Sequence, residues 1–326
     1  MKKIIKNGHS SQSDNYHSTH GGKGWLDRQK SNSEEIQEGK LWYPTYSVSE
    51  TAALKEVLLT IPHKDTYLNI CPASNLMLEM LDGELLVEQA YQLKKIYESN
   101  EVKVHTLICK RDNPYPNLLF LRDLLWATPE GIILCRPASQ QRAGEERFVA
   151  RTLSEIGIPI VMSIKGDGVF EGADALWLNS ETVILGTGFR TNDQGGRQIE
   201  NFLSDLGVKT IKIQLKKGVQ HLLGVMNFLT EDIIALNDNK APENLENILL
   251  DYGYKVVRLT NEEEINNSRG MNFVNLGNKK ILMPTGAHKL KECFQINGCE
   301  VVECDISEYL KAGGGIGCLT GILYRR

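Results

Sequence analysis

No uninterrupted apolar run reaches the roughly 18 residues that a membrane-spanning helix needs. Residues 1–7 also lack the apolar stretch of a secretory signal. Cysteine is scarce and odd in number, seven residues without paired motif spacing, so no disulfide framework is expected. These absences together point to a reducing cytoplasm and to no membrane partner. Positive charge is not in excess either. With a formal net charge of −4, no basic stripe and no aromatic platform, nucleic acid is not an expected partner. Nor are His, Cys and acidic residues grouped at metal-ligand spacing. His17 and His20 lie three apart with no third ligand beside them, so no metal or other cofactor is expected.

What the chain does have is a period. Phe170-Glu171-Gly172-Ala173-Asp174 leads into an apolar run at 175–178, a turn at Asn179-Ser180-Glu181 and a second run at 182–185. A helical pattern at 195–206, Gly207 and a strand at 208–215 complete a unit of about fifty residues. Upstream, Phe120-Leu121-Arg122-Asp123 opens a similar unit: strands at 124–127 and 132–135, a helix at 145–156, then Gly157 and a strand at 158–164. Downstream, His221 opens strands at 222–229 and 233–236, a helix at 242–252 and a strand at 254–259. A further unit begins near Asn272, with a helix at 290–296 and a strand at 300–304. A looser one spans a strand at 55–61, a helix at 85–97 and a strand at 102–108. Five strand–strand–helix–strand units between about residues 45 and 305 predict a single α/β domain over residues 41–326. At 41% hydrophobic residues the chain can bury a large core. Residues 1–40 are polar and read as an extension, mobile or laid over the core, with Trp25 and Trp42 as its anchors.

The openings of successive units lie 48, 50 and 51 residues apart, at Asp123, Glu171, His221 and Asn272. If the units close around an axis, Asp123, Glu171 and His221 converge at one end of it. Arg142 and Arg190 each follow an acid by 19 residues. Near the C-terminus, Gly313-Gly314-Gly315-Ile316-Gly317-Cys318 crowds glycines around one thiol, allowing close backbone approach and φ values closed to other residues. The remaining six cysteines sit on apolar runs or helix faces and read as packing or surface residues. Cys318 as nucleophile, His221 as proton carrier and two carboxylates that bind a cation form a coherent set. Paired acids call for a positive group between them, and a guanidinium fits through forked, charged hydrogen bonds. Arg142 and Arg190 then read as holders of the anionic end of the same small molecule, such as an α-carboxylate.

These residues resemble a known family. The stretches Pro116-Asn117-Leu118-Leu119-Phe120-Leu121-Arg122-Asp123, Glu171-Gly172-Ala173-Asp174, Gly188-Phe189-Arg190-Thr191-Asn192, His221-Leu222 and Gly314-Gly315-Ile316-Gly317-Cys318-Leu319-Thr320 occur in the order found in the pentein, or α/β-propeller, enzymes that modify guanidino groups. The resemblance covers roughly residue 43 to the C-terminus. It implies five ββαβ-type repeats around a pseudo-fivefold axis. It also implies a cysteine-dependent hydrolase of arginine or a close analogue, releasing ammonia through a covalent amidino-thioether. On that resemblance Cys318 attacks the guanidinium carbon, His221 protonates the leaving amine and later activates water, and Glu171 and Asp123 hold the guanidinium nitrogens. Asn117 matches an Asn that arginine dihydrolases carry ahead of Phe-x-Arg-Asp, which points to ornithine, whereas the deiminases give citrulline. Leu223 stands where deiminases and amidinotransferases carry an Asp. An amidinotransferase passing the group to an amine acceptor is the alternative, and a non-catalytic pentein binding module the remote one. Exposed helix faces and the ring's edges leave room for a homo-oligomer.

Overall fold

The structure is a computed structural model that describes residues 16–326. Its strands are β1 (Leu54–Ile61), β2 (Lys103–Ile108), β3 (Leu125–Thr128), β4 (Gly131–Leu134), β5 (Ile160–Ser163), β6 (Ala175–Asn179), β7 (Thr182–Thr187), β8 (Lys209–Gln214), β9 (Met226–Phe228), β10 (Ile233–Asn237), β11 (Lys255–Leu259), β12 (Val274–Gly277), β13 (Lys280–Pro284), β14 (Glu300–Cys304) and β15 (Gly321–Arg325). Helix α1 (Asn32–Glu38) precedes them. The crossover helices are α2 (Gly83–Ser99), α3 (Glu146–Ile156), α4 (Asp193–Asp205) and α5 (Leu245–Asp251), and after the short α6 (Glu262–Asn266), α7 (His288–Ile296). Two short helices, α8 (Ser307–Lys311) and α9 (Ile316–Leu319), precede the last strand.

The strands form five three-stranded sheets, and in four of them an antiparallel hairpin's second strand pairs in parallel with the strand beyond its helix. β4 and β7 are buried along their whole length, whereas β5 and β8 are half exposed. That burial is why the hairpins read as unbroken apolar runs. Each helix docks through residues four apart: Val149 and Leu153, Ile199 and Leu203, Leu245 and Leu249, Leu290 and Phe294, all buried. Each such side chain contributes about 1.5–3 kcal/mol by leaving water. Four residues after the second of each pair comes a glycine. Gly157, at φ 91°, donates to Leu153 O while Ile158 N closes the turn onto the same carbonyl, ending the helix and aiming the chain at the next strand.

The first sheet departs from the sequence reading. Its hairpin partner comes from the C-terminus: β15 runs antiparallel to β1 and β2 parallel to it, so the two ends of the chain close the ring. The loose first repeat lacked its own outer strand. The extension also differs. Trp25 is 57% exposed and anchors nothing. The anchors are Ile36, fully buried on α1, and the Asn32 amide, which donates to Glu130 O at 2.8 Å. A capping box between Ser31 and Glu34 starts that helix. Residues 1–15 of the expected extension lie outside the described residues. Among the described residues no helix is long and apolar enough to cross a membrane.

Candidate active site

Three tight 3₁₀ turns, Leu121–Asp123, Gly172–Asp174 and Leu222–Gly224, lead into β3, β6 and β9 at one end of the ring. They correct the spacing argument. Asp123 is the last residue of its turn and is equivalent to Asp174, 51 residues on; Glu171 and His221 precede their turns and are equivalent to each other. The side chains converge nonetheless, because acidic groups three residues apart on a tight turn both face the axis. Asp174 ties the third and fourth units together: Oδ1 accepts Leu222 N at 2.9 Å and Oδ2 accepts the Thr191 hydroxyl at 2.6 Å. Burial pushes its carboxyl up to about 7.

Glu171 is fully buried. Its Oε1 accepts Ala138 N at 3.0 Å, its Oε2 accepts His221 Nε2 at 2.5 Å, and Arg190 Nη1 lies 3.3 Å from both oxygens. The sequence reading had Glu171 grip a guanidinium, but here it stands behind His221 as the partner that holds the imidazole. Burial opposes charge at Glu171, yet the His221 hydrogen bond and the charges of His221, Arg142 and Arg190 lower its pKa to about 2. At His221 burial again opposes charge, and Asp123 at 3.7 Å together with Glu171 outweighs it, raising the pKa to about 9. The imidazole is therefore cationic at neutral pH.

Asp123 is the acid that faces the cavity. Arg142 Nη1 donates to Oδ2 at 2.6 Å, while Oδ1 is buried with no hydrogen-bond partner. The cavity it lines, about 80 Å³, is shared by Asn117, Arg142, Arg190, His221 and Cys318. Asn117 sits there at 2% exposure with its amide donating to Asn75 O at 2.6 Å. The two arginines are not free cations. Arg142 also donates to Glu145 Oε2 at 2.9 Å and to Phe120 O at 3.3 Å, so the charge between the paired acids is supplied by the protein itself. The 19-residue spacing does not make the arginines equivalent, since Arg142 ends a 3₁₀ turn and Arg190 follows β7 by three residues.

The three residues that the unit spacing gathers also have the form of a ligand set. Asp123, Glu171 and His221 each offer an atom within 4.8 Å of the others, as a metal site would. Two arginine guanidiniums already rest on these carboxylates, and a divalent cation placed there meets both positive charges. The chemistry of the cluster is that of an ion-pair network around a histidine.

Cys318, on α9, is partly exposed at the cavity wall. Burial and the nearby Asp123 charge raise its thiol pKa, opposed by Gly315 and Asn272 hydrogen bonds and the Arg269 charge. Of the glycines ahead of it only Gly313 adopts the left-handed region, at φ 93°. Gly314 and Gly315 are needed for space: a Cβ would stand 2.2 Å from the Phe120 ring and 2.7 Å from Asn272 Cβ respectively. In the sequence Asn272 stands only at the start of a unit, 51 residues after His221. Its Nδ2 lies 3.1 Å from Cys318 Sγ, and its Oδ1 accepts Cys318 N at 3.0 Å. An amide donor on sulfur favours the thiolate. Asn272→Ala is expected to lower kcat about 10- to 100-fold with KM changed less than threefold. A kcat within twofold of wild type in steady-state assays removes Asn272 from the site. Glu145 and Arg269, which also shape the site, carried no periodic signal.

A five-bladed ring with a thiol, an imidazolium and a buried carboxylate oxygen that accepts no hydrogen bond at one end is the arrangement of the pentein enzymes that modify guanidino groups, a class whose hydrolases cleave guanidino C–N bonds. Residues 80–325 match the family model for N,N-dimethylarginine dimethylhydrolase, eukaryotic, and the chain belongs to that family. It is 24% identical over 209 residues to the N(G),N(G)-dimethylarginine dimethylaminohydrolase of Pseudomonas aeruginosa, covering 64% of this chain and 78% of that one. The Bacillus subtilis protein YkgA is 26% identical over 290 residues, covering 88% and 97%. Among solved structures, the Pseudomonas aeruginosa dimethylarginine dimethylaminohydrolase complexed with citrulline superposes with a TM-score of 0.69 at 22% identity, over 84% of this chain and all of that one. The N-terminal domain of the cyanobacterial arginine dihydrolase ArgZ, bound to product, gives 0.70 at 22% identity over 82% and 97%. Structures this distant in sequence share the fold.

Proposed function

We propose that the protein hydrolyses the guanidino group of arginine or a close analogue, a methylated arginine included, with Cys318 as nucleophile. The observation that carries this reading is Asp123 Oδ1, a buried carboxylate oxygen that accepts no hydrogen bond and lies 3.7 Å from His221 Nε2, on the wall that Cys318 and His221 share. A buried acceptor so placed loses its desolvation cost when a guanidinium N–H meets it. In this reading Asp123 orients the planar carbon toward sulfur. The S–C bond forms, the C–N bond breaks, and His221 gives its proton to the departing amine. Water then attacks the amidino-thioether, its proton passing to His221 as sulfur leaves. Glu171 holds the imidazole in place throughout and favours its cationic form before the proton is given and after it is regained. Arg142, Arg190 and Asn117 form the rim against which the rest of the molecule lies. One round leaves citrulline and a second leaves ornithine.

Mass spectrometry of products from arginine and from asymmetric dimethylarginine, with Cys318→Ala as control, tests the reading. Citrulline or ornithine formed only by the wild type supports it; no turnover of either substrate, or equal turnover by the variant, sinks it. The pH dependence follows from the same groups. His221 stays charged until pH climbs through about 9, and the raised thiol pKa of the free enzyme means that its ionised fraction grows with pH over the neutral range. Accordingly kcat/KM is expected to climb from pH 6 to about 9, while kcat, measured with the substrate cation beside the sulfur, levels off earlier. A kcat/KM flat across that range contradicts the assignment.

A further inference from the structure

The reaction centre opens into two cavities. The second, about 350 Å³, meets the first at His221, Cys318, Gln220, Arg269 and Gly313, and extends away past Leu223, Met271 and Lys240. No acidic residue lines it. Its charges are Lys240 and Arg269, together with the His221 imidazolium. The Lys240 ammonium donates to the Asn266 amide oxygen at 2.8 Å, and among the described residues neither Lys240 nor Arg269 is paired with a carboxylate. The ring's pseudo-symmetry accounts for the lysine. Arg190 follows β7 by three residues and Lys240 follows β10 by three, just as Glu171 and His221 are equivalent. A cation that overlooks the first cavity in one repeat overlooks the second cavity in the next.

We propose that this second cavity is the subsite for the departing amine, and that it selects guanidines whose leaving nitrogen carries a short anionic substituent. The inference rests on the hydrolase reading above. His221, which delivers the proton to the leaving nitrogen, forms the wall common to both cavities, so a substituent on that nitrogen passes across it. The first cavity, at about 80 Å³, is the narrower of the two and already takes the rest of the substrate against Arg142, Arg190 and Asn117. Leu223 and Met271 offer an apolar surface to one or two methylenes, and Lys240 and Arg269 meet a carboxylate beyond them. For Nω-carboxymethyl-L-arginine the Cys318 S–C bond forms as the C–N bond to glycine breaks. His221 donates the proton that glycine needs to leave, and water then displaces sulfur to give citrulline.

The test compares kcat/KM for Nω-carboxymethyl-L-arginine with that for its neutral near-isostere Nω-propyl-L-arginine, alongside arginine and asymmetric dimethylarginine. The wild-type chain of residues 1–326 is expected to favour the carboxymethyl compound at least tenfold. Lys240→Met and Arg269→Gln should each cut that ratio at least threefold, and Lys240→Glu should turn the preference toward Nω-(2-aminoethyl)-L-arginine. A wild-type ratio near one, or a ratio that neither neutral substitution moves, overturns the subsite while arginine or dimethylarginine turnover leaves the hydrolase reading standing. Hydrolysis of none of the guanidines overturns both.

Discussion

Cys318→Ala is expected to lose at least about 10⁴-fold in turnover, the largest effect of any single change in this protein. A nucleophile's removal leaves only what binding and positioning contribute, typically a small residue of the whole. The more discriminating result concerns the wild-type thiol. In the free protein, burial and the charge of Asp123 keep the sulfur protonated, while His221 beside it is already cationic. A neutral alkylating agent such as iodoacetamide should therefore react slowly with Cys318 at pH 7 and faster as pH rises. A small cationic one such as 2-chloroacetamidine should react much faster at pH 7, because it brings the charge that Asp123 awaits. Asp123→Asn should reverse part of this order: it removes the charge that opposes ionisation, so iodoacetamide labelling at pH 7 speeds up while the advantage of the amidinium falls. Peptide mass spectrometry of the segment carrying Cys318 reads both rates. Equal labelling by the two reagents in the wild type would show that the thiol ionises without help from a substrate cation.

The second large effect falls on stability. Arg142 is 3% exposed and bonds Asp123, Glu145 and Phe120 O, whereas Arg190 holds Glu171 through longer contacts of 3.3 Å and is 9% exposed. Arg142→Met leaves two buried carboxyls without their cation. Removing one partner of such a group costs about 3–5 kcal/mol. Glu145, whose pKa burial already raises to about 7 despite Arg142, should then take up a proton. Its folded pKa would rise further above the unfolded value. Stability of the variant would therefore be greatest at low pH and would fall as pH rises through neutrality. Arg190→Met, by contrast, is expected to lose less than half as much stability and to raise KM. Urea denaturation of both variants at pH 6 and pH 8 measures this. If Arg142→Met matches Arg190→Met at both pH values, the Asp123–Arg142–Glu145 network is not what holds this end of the ring together.

The two predictions differ in how much of their basis was legible beforehand. Cys318 stood out because glycines crowd it, and glycine next to a lone thiol is visible in any linear reading. The ion-pair network was not visible. Glu145 looked like an ordinary first residue of a helix, and Arg142 looked like a free cation awaiting a carboxylate. The register of the units meets the same limit on a smaller scale. Asp123, Glu171 and His221 were gathered correctly onto one site, yet Asp123 belongs with Asp174, because a 3₁₀ turn places residues three apart on the same side. Asn272, at the right spacing, carried no chemical signal of its own until the fold set its amide against the sulfur.

By itself the sequence determined the units: hairpins buried on both faces appear as apolar runs, docking helices as apolar residues four apart, and helix ends as recurrent glycines. Each of these is a local pattern, written within a dozen neighbouring residues by the geometry of one element. Only the tertiary structure decided that the C-terminal strand completes the first sheet. It alone decided that Glu171 serves His221 while Asp123 faces the cavity, and that a second, basic cavity adjoins the thiol. Those outcomes join residues from about twenty to more than two hundred and fifty positions apart. They turn on which buried charges meet in a low-dielectric space, and a linear pattern does not encode that meeting.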